Sequence, residues 1–265
     1  MHFSVLTLFP EMFDALFNHS IFKRALAQNV ISADIYNIRD FAIGKHHVTD
    51  DKPYGGGSGM VLKPDPIVGA IKFAKKWYPN ALTLLLTPQG KTFDQQMARE
   101  FSQENALLLI CGRYEGVDER IALDHTDMEI SIGNFVLTGG EPAAMIIMDA
   151  VSRLIPGVLG ADDAAQLDSF SDGLLEHAQY TRPENFDDHH VPDILLSGHH
   201  QNISDWRRES SLVRTLLKHP DLFDSITLTS EDLLILRKWE KTIEKIIGNQ
   251  SSCGAASLSS TGKNR

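Results

Sequence analysis

Short, unbroken apolar runs alternate with helical stripes through the first half of the chain, and the second half keeps only the stripes. Residues 3–9 read as a strand closed by Pro10, and residues 33–38 alternate well enough for another. Leu82 to Leu86 is a further run, stopped by Thr87-Pro88-Gln89-Gly90. Between Leu107 and Met145 the order is apolar strand, glycine turn, apolar strand, glycine turn, helix. Runs that are apolar at every position suit strands covered on both faces, as in parallel sheets. Helices are expected over residues 11–17, 21–28, 66–77 and 141–154, with Pro142 tolerated in a first turn. Asp94 and Asp118 are positioned to cap two more, reaching residues 103 and 123. The fold class is therefore α/β, with an open parallel sheet. Ligands of such sheets sit beyond the carboxyl ends of the strands. Three buried strands that stop in turns without bulky side chains place a pocket at that edge.

At Ile155-Pro156-Gly157 the texture changes. Residues 158–172 are rich in Gly, Ala, Asp and Ser and read as a flexible linker. Beyond them the strand and helix alternation stops, leaving helices at 204–218, closed by His219-Pro220, and at 230–247, capped by Thr229 or Ser230. The expected division is a ligand-binding domain at 1–157, a linker or lid at 158–172, a small helical domain at 173–248 and a disordered tail at 249–265. Residues 45–63 form a long polar segment inside the first domain, and loops of that length are usually functional or mobile.

The net charge of −10 excludes a protein that coats nucleic acid indiscriminately, though not an enzyme that meets nucleic acid through a local patch. Arg207, Arg214 and Lys218 fall on one helix face, with Arg208 on the neighbouring stripe. From the charges alone, a solvated helix face and a phosphate-binding patch fit equally well. Cys111 and Cys253 form no C-x-x-C and indicate neither a disulfide framework nor a zinc site. No apolar run approaches a membrane span, and the first residues lack a signal-peptide pattern, so the cytoplasm is expected.

Several motifs are weak. Gly55-Gly56-Gly57-Ser58-Gly59 follows Asp-Asp-Lys-Pro-Tyr rather than a strand, and Met60 stands where a dinucleotide fingerprint needs its last glycine. A flexible active-site loop fits better. Gly90-Lys91-Thr92 imitates the end of a Walker A loop, but Leu85 occupies the place of its first glycine. The pairs His46-His47, His189-His190 and His199-His200 lack metal-ligand spacing and are expected as solvated loop residues. The glycine turns at Gly112, Gly116, Gly133, Gly139 and Gly140 carry more, because glycine permits positive φ and close backbone approach. Such turns suit a ligand rich in donors and acceptors, such as a nucleoside.

These segments resemble the TrmD family of bacterial tRNA (guanine-N1)-methyltransferases in the SPOUT superfamily. The matching blocks are L-F-P-E-M-F (8–13), D-D-K-P-Y-G-G-G-S-G-M (50–60), T-P-Q-G (87–90), C-G-R-Y-E-G-V-D-E-R (111–120) and S-I-G-N-F-V-L-T-G-G-E (131–141). S-R-L-I-P-G-V-L-G (152–160), D-S-F (168–170), Y-T-R-P (180–183) and L-L-S-G-H-H (195–200) follow in the family's order. The resemblance extends to about residue 245.

It implies S-adenosyl-L-methionine-dependent methylation of N1 of guanosine 37, just 3′ of the tRNA anticodon. It also implies a deep trefoil knot and an obligate homodimer with shared active sites. The implied cofactor residues are Leu85, Leu86, Pro88, Gly112, Tyr114, Ile132, Gly133, Asn134, Phe135, Val136, Leu137, Gly139 and Gly140. Asp168 matches the family's catalytic acidic residue, Arg153 its catalytic arginine, and Glu115 a carboxylate linked to activity and to a magnesium requirement. Arg207, Arg208, Arg214 and Lys218 are the expected contacts to anticodon-arm phosphates. This chain departs from the family at Glu176, where Asp is usual, at Asn134-Phe135, where Asp-Tyr is common, and at Pro142, one place early. Two rivals remain: a related methyltransferase acting on a ribose 2′-oxygen or another base, and an RNA-binding module without catalysis. The D-S-F and Y-T-R-P segments disfavour the first, and the presence of Asp168, Arg153 and Glu115 the second.

Overall fold

The structure is a computed structural model describing residues 1–160, 165 and 168–258, with side chains through residue 247. The chain divides into two units, Met1–Ala165 and Gln166–Arg265. Part of the expected linker, residues 161–164 and 166–167, lies outside the described residues, as do residues 259–265.

The strands of the first unit are β1 (His2–Thr7), β2 (Ser32–Asn37), the two-residue pair β3 (Asp50–Asp51) and β4 (Val61–Leu62), β5 (Leu82–Thr92), β6 (Ala106–Cys111) and β7 (Met128–Ser131). Five of them form one sheet in the order β2-β1-β6-β5-β7, with every pairing parallel. Its helices are α1 (Asp14–Asn18), α2 (Ser20–Ala27), α3 (Pro64–Ala74), α4 (Gln95–Phe101), α5 (Glu119–His125) and α6 (Glu141–Ser152). Alternate side chains of β6 enter two separate cores, as the two-residue period of a strand requires. Leu107, Leu109 and Cys111 pack toward α2, α4 and α6, while Ala106, Leu108 and Ile110 pack toward α3 and α5. Helices therefore cover both faces, which is why β6 is apolar at every position.

Local chemistry sets the helix starts. The Asp94 carboxylate accepts from the Met97 amide at 2.8 Å, and that of Asp118 from the Arg120 amide at 3.1 Å. The expected helix at 11–17 is broken: Pro10 opens a 3-10 turn over Pro10–Phe13 that leads into the short α1. The run at 82–86 also differs from expectation, because it does not end at Thr87. After Leu86 pairs with Ile130 the chain bulges outward, and Lys91 pairs with the same Ile130 as β5 resumes. Gly90 makes this return possible, since a Cβ there would collide with the Glu129–Ile130 backbone.

The second unit holds a hairpin of β8 (Asn185–Phe186) and β9 (His189–His190), then α7 (Asp193–Leu196), α8 (His200–Lys218) and α9 (Ser230–Leu258). The expectation that strands stop after residue 172 is corrected by this hairpin. Asp187 and Asp188 both take positive φ, the conformation a two-residue hairpin turn demands. His189 and His190, expected in a loop, thus lie on a strand. The last helix runs past its expected end at residue 247 into the segment expected to be disordered. Extending an existing helix costs far less than starting one. Its start is fixed by a reciprocal cap: Thr229 Oγ1 accepts from the Asp232 amide at 3.1 Å, and the Asp232 carboxylate accepts from the Thr229 amide at 3.0 Å. The same buried carboxylate takes Arg208 bidentately, at 2.7 and 2.8 Å.

Two predictions follow from these contacts. Replacing Gly90 with Ala should lower stability by about 1–3 kcal/mol through overpacking against β7; urea unfolding at wild-type midpoint would remove the crossing as a constraint. Arg208, followed by the Thr229 bonds, holds the Asp232 carboxyl down at about 2, below its ordinary 3.8. The folded pKa is the lower one, so this stabilisation is complete above about pH 4 and fades as pH falls toward 2. Asp232→Asn should therefore be less stable at neutral pH and lose less on acidification, measured by denaturant midpoints from pH 7 to 2.5.

Candidate functional site

At the bulge within β5 and beyond the carboxyl ends of β6 and β7, three turns enclose a cleft of about 380 Å³. The first is the bulge at Thr87, Pro88 and Gln89. The second runs from Gly112 through Val117 after β6, and the third from Ile132 through Gly140 after β7. Tyr114 holds φ +60, unusual for a bulky side chain, between Arg113 and Gly116 at φ +118. The second and third turns lie against each other through main chain: Arg113 bridges Gly139, and the Gly140 amide donates to the Gly112 carbonyl at 2.9 Å. A Cβ on Gly140 would stand 2.8 Å from the Cys111 Cα, and one on Gly139 would strike the Arg113 side chain. Bare backbone at these two positions brings the cleft walls together.

Under the cleft lies a buried pair of charges. Arg113 Nε is 2.9 Å from Glu141 Oε2, and Thr7 Oγ1 donates to Glu141 Oε1 at 2.6 Å. The Arg–Glu alignment is poor for a hydrogen bond, so their attraction is mainly that of adjacent charges, Glu141 fully buried and Arg113 15% exposed at the cleft. Arg113 also stacks over Phe9 at 4.5 Å and donates to the Thr138 carbonyl at 3.3 Å. Glu141 occupies the first turn of α6, where the helix dipole favours a negative charge. Nearby, burial and then the charge of Glu141 push the Cys111 thiol well up.

The glycine-rich segment is tied to the second turn by backbone bonds. The Glu115 amide donates to Met60, the Leu62 amide to Gly116 and the Asp118 amide to Leu62, each at 3.0 Å. The Glu115 side chain rests against Gly59, leaving no room for a Cβ there. Glu115 is exposed at the cleft, whereas Arg153 is half-buried at the end of α6. In the second unit, Asp168 is half-buried and its carbonyl accepts from Ser171 at 3.1 Å. On α8, Arg207 and Lys218 are exposed. Arg214 donates through Nε to the Glu176 carbonyl at 3.1 Å, and Arg208 is engaged by Asp232 and by Asp172 at 2.6 Å.

The expected cofactor residues, Asn134 excepted, all line this one cleft, and Glu115 joins them. Sequence reasoning did not find Thr87, Gln89, Arg113 or Val117 in the lining, nor the Glu141 that anchors Arg113. The polar side chains within the C-G-R-Y-E-G and G-G-E blocks were the available signal. Among the described residues, no three His, Cys, Asp or Glu side chains are grouped to hold a metal.

A doubly covered parallel sheet with a cleft at its carboxyl edge defines an α/β protein with a candidate small-molecule site there. The family model for tRNA (Guanine-1)-methyltransferase TrmD matches residues 1–225. The chain is 54% identical over 241 residues to a tRNA (guanine-N(1)-)-methyltransferase of Geobacter sp. (strain M21), covering 91% of this chain and 97% of that protein. A protein of the same name from Dehalococcoides mccartyi (strain CBDB1) is 51% identical over 255 residues, covering 96% and 100%. The crystal structure of tRNA (m1G37) methyltransferase from Aquifex aeolicus superposes with a TM-score of 0.68 at 37% identity, covering 85% of this chain and 95% of that one. The chain belongs to the TrmD family of tRNA (guanine-1)-methyltransferases.

Replacing Glu141 with Ala should cost about 1–3 kcal/mol, since it leaves Arg113 and the Thr7 hydroxyl without the carboxylate they share. Urea unfolding checks this, and a loss below about 1 kcal/mol, the scale of an exposed pair, would mean that water reaches Arg113.

Proposed function

We propose that this protein transfers the methyl group of S-adenosyl-L-methionine to N1 of guanosine 37 in tRNA. The observation that carries this reading is the gathering of the expected cofactor residues around one cleft in a chain of this family. The cleft fits such a ligand: its volume lies in the range of small-molecule sites, and the backbone at Gly112, Gly139 and Gly140 offers amides and carbonyls without side chains. When bound there, the sulfonium supplies an electrophilic methyl carbon and leaves as a neutral thioether.

The chain's own residues do the rest. Guanine N1 carries a proton at neutral pH, so its lone pair becomes available only as that proton leaves. Asp168 accepts it as general base, and Arg153 balances the negative charge growing on O6. Because N1 lies on the pairing edge, the guanine must leave its stack. Arg207, Arg214 and Lys218 hold anticodon-arm phosphates in this reading. Among the described residues Glu115 belongs to no group of three His, Cys, Asp or Glu side chains, so a magnesium ion held there would need ligands from the substrate as well.

The reading includes a homodimer with shared active sites. It is supported by the exposed apolar residues Phe135, Val136 and Leu137 at the cleft rim and Ile146 on α6. It also includes a trefoil knot, supported by the family. No helix among the described residues is long and apolar enough to cross a membrane, which agrees with a cytoplasmic enzyme.

Purified protein should methylate a tRNA transcript at N1 of guanosine 37, mapped by mass spectrometry, and ignore one lacking that guanosine. Methyl on a ribose or another base would replace the proposed substrate atom. Asp168→Asn should cut single-turnover rate by about 10²–10⁴-fold with cofactor affinity retained; near-normal turnover would remove Asp168 as the base.

A further inference from the structure

Helical spacing sets Arg208 on the stripe beside the expected phosphate-binding face, yet its surroundings are acidic. Nε and Nη2 meet both oxygens of Asp232, a carboxylate about 1% exposed, at 2.7 and 2.8 Å. Nη1 meets Asp172 Oδ2 at 2.6 Å. The planar guanidinium is thus held from one side by a buried carboxylate while its far edge reaches the other. Hydrogen bonding to the two carboxylates also pushes the Arg208 pKa up, with Asp232 contributing most.

What Asp172 belongs to gives this contact its meaning. The Asp168 carbonyl accepts from Ser171 at 3.1 Å, the Phe170 amide donates to Leu174 at 2.7 Å, and Asp172 Oδ1 accepts from Leu174 at 3.2 Å. Asp168 through Leu174 is therefore one tight turn. Phe170 at φ +71 and Gly173 at φ +84 shape it, and a Cβ on Gly173 would strike Ile226. Just after the turn, the Leu175 amide donates to Thr215 Oγ1 at 2.9 Å and the Ala178 amide to Ser210 Oγ at 3.0 Å. These stitches attach the chain to α8 after the turn. Asp172 attaches the turn itself.

We propose that Arg208 is a positioning residue: clamped on Asp232, it grips Asp172 and fixes the turn that carries Asp168. This rests on the reading of Asp168 as the general base. A residue bearing a reacting group loses rate steeply with small displacements, whereas a phosphate contact mainly sets affinity.

The two roles separate in full-length protein assayed at saturating cofactor. Asp172→Ala and Arg208→Gln should each lower kcat by about 10- to 100-fold, with KM for tRNA within about twofold and a salt slope of tRNA binding unchanged. The double variant should lose no more than either single one, because both remove the same link. Arg208→Lys should recover only part of the rate, since an ammonium lacks the planar fork that meets Asp232 with two nitrogens and Asp172 with a third. If Arg208 instead binds phosphate, Arg208→Gln raises KM and flattens the salt slope by about 1, while Asp172→Ala leaves kcat untouched; either result overturns the proposal. Should Arg208→Gln prove unfolded by circular dichroism, Asp172→Ala decides alone, because Asp172 is more than half exposed and its loss spares the buried carboxylate. Asp168→Asn tests the base separately. An active Asp168→Asn enzyme sinks that reading, whereas a kcat-neutral Asp172→Ala sinks only the positioning role.

Discussion

The cleft depends on one buried attraction, that between Arg113 and Glu141. Each group alone would be expensive to bury, and each comes from a different wall: Arg113 from the turn after β6, Glu141 from the first turn of α6. Thr7, at the end of β1, supplies the hydrogen bond that completes the carboxylate. The pair therefore ties the ends of β1 and β6 to the start of α6 and sets the separation of the two glycine turns above it. With the walls fixed at that distance, Gly139 and Gly140 have no space for side chains, and the ligand meets backbone. Glycine and buried charge are two halves of one constraint.

Much of the first unit was legible because its signals are local or strictly periodic. Two-residue alternation into two cores explains the unbroken apolar runs of β5 and β6, and Asp94 and Asp118 cap the helices they announce. The turns of the cleft were legible as glycines and as family blocks. What sequence could not give was pairing across distance. Nothing near Glu141 says that its partner is Arg113 rather than solvent. Nothing near Thr87 says that the strand will swing out and return to the same neighbour at Lys91. Asn134, adjacent to lining residues on both sides, is exposed and falls outside the lining.

The second unit shows the same limit through charge. Helical spacing sets Arg207, Arg214 and Lys218 on one face with Arg208 on the stripe beside it, and all four do lie on α8. Spacing is blind to what lies opposite. A buried aspartate, itself the cap of the next helix, occupies Arg208, and a carbonyl occupies Arg214. Counting cations along a helix overstates the charge it offers to a polyanion wherever the neighbouring chain has already answered some of them.

Cys111 ends the central strand directly beneath the cleft, fully buried, with Gly140 pressed against its backbone and its Cβ. Burial and a neighbouring carboxylate keep its sulfur in the neutral thiol form, and the thiolate is the species that electrophiles and peroxides attack. Any atom added to that sulfur would have to fit into a core already filled by the neighbouring apolar side chains. The sulfur is inert by confinement, so alkylating reagents and mild oxidative stress find no handle on it while the sheet stays folded.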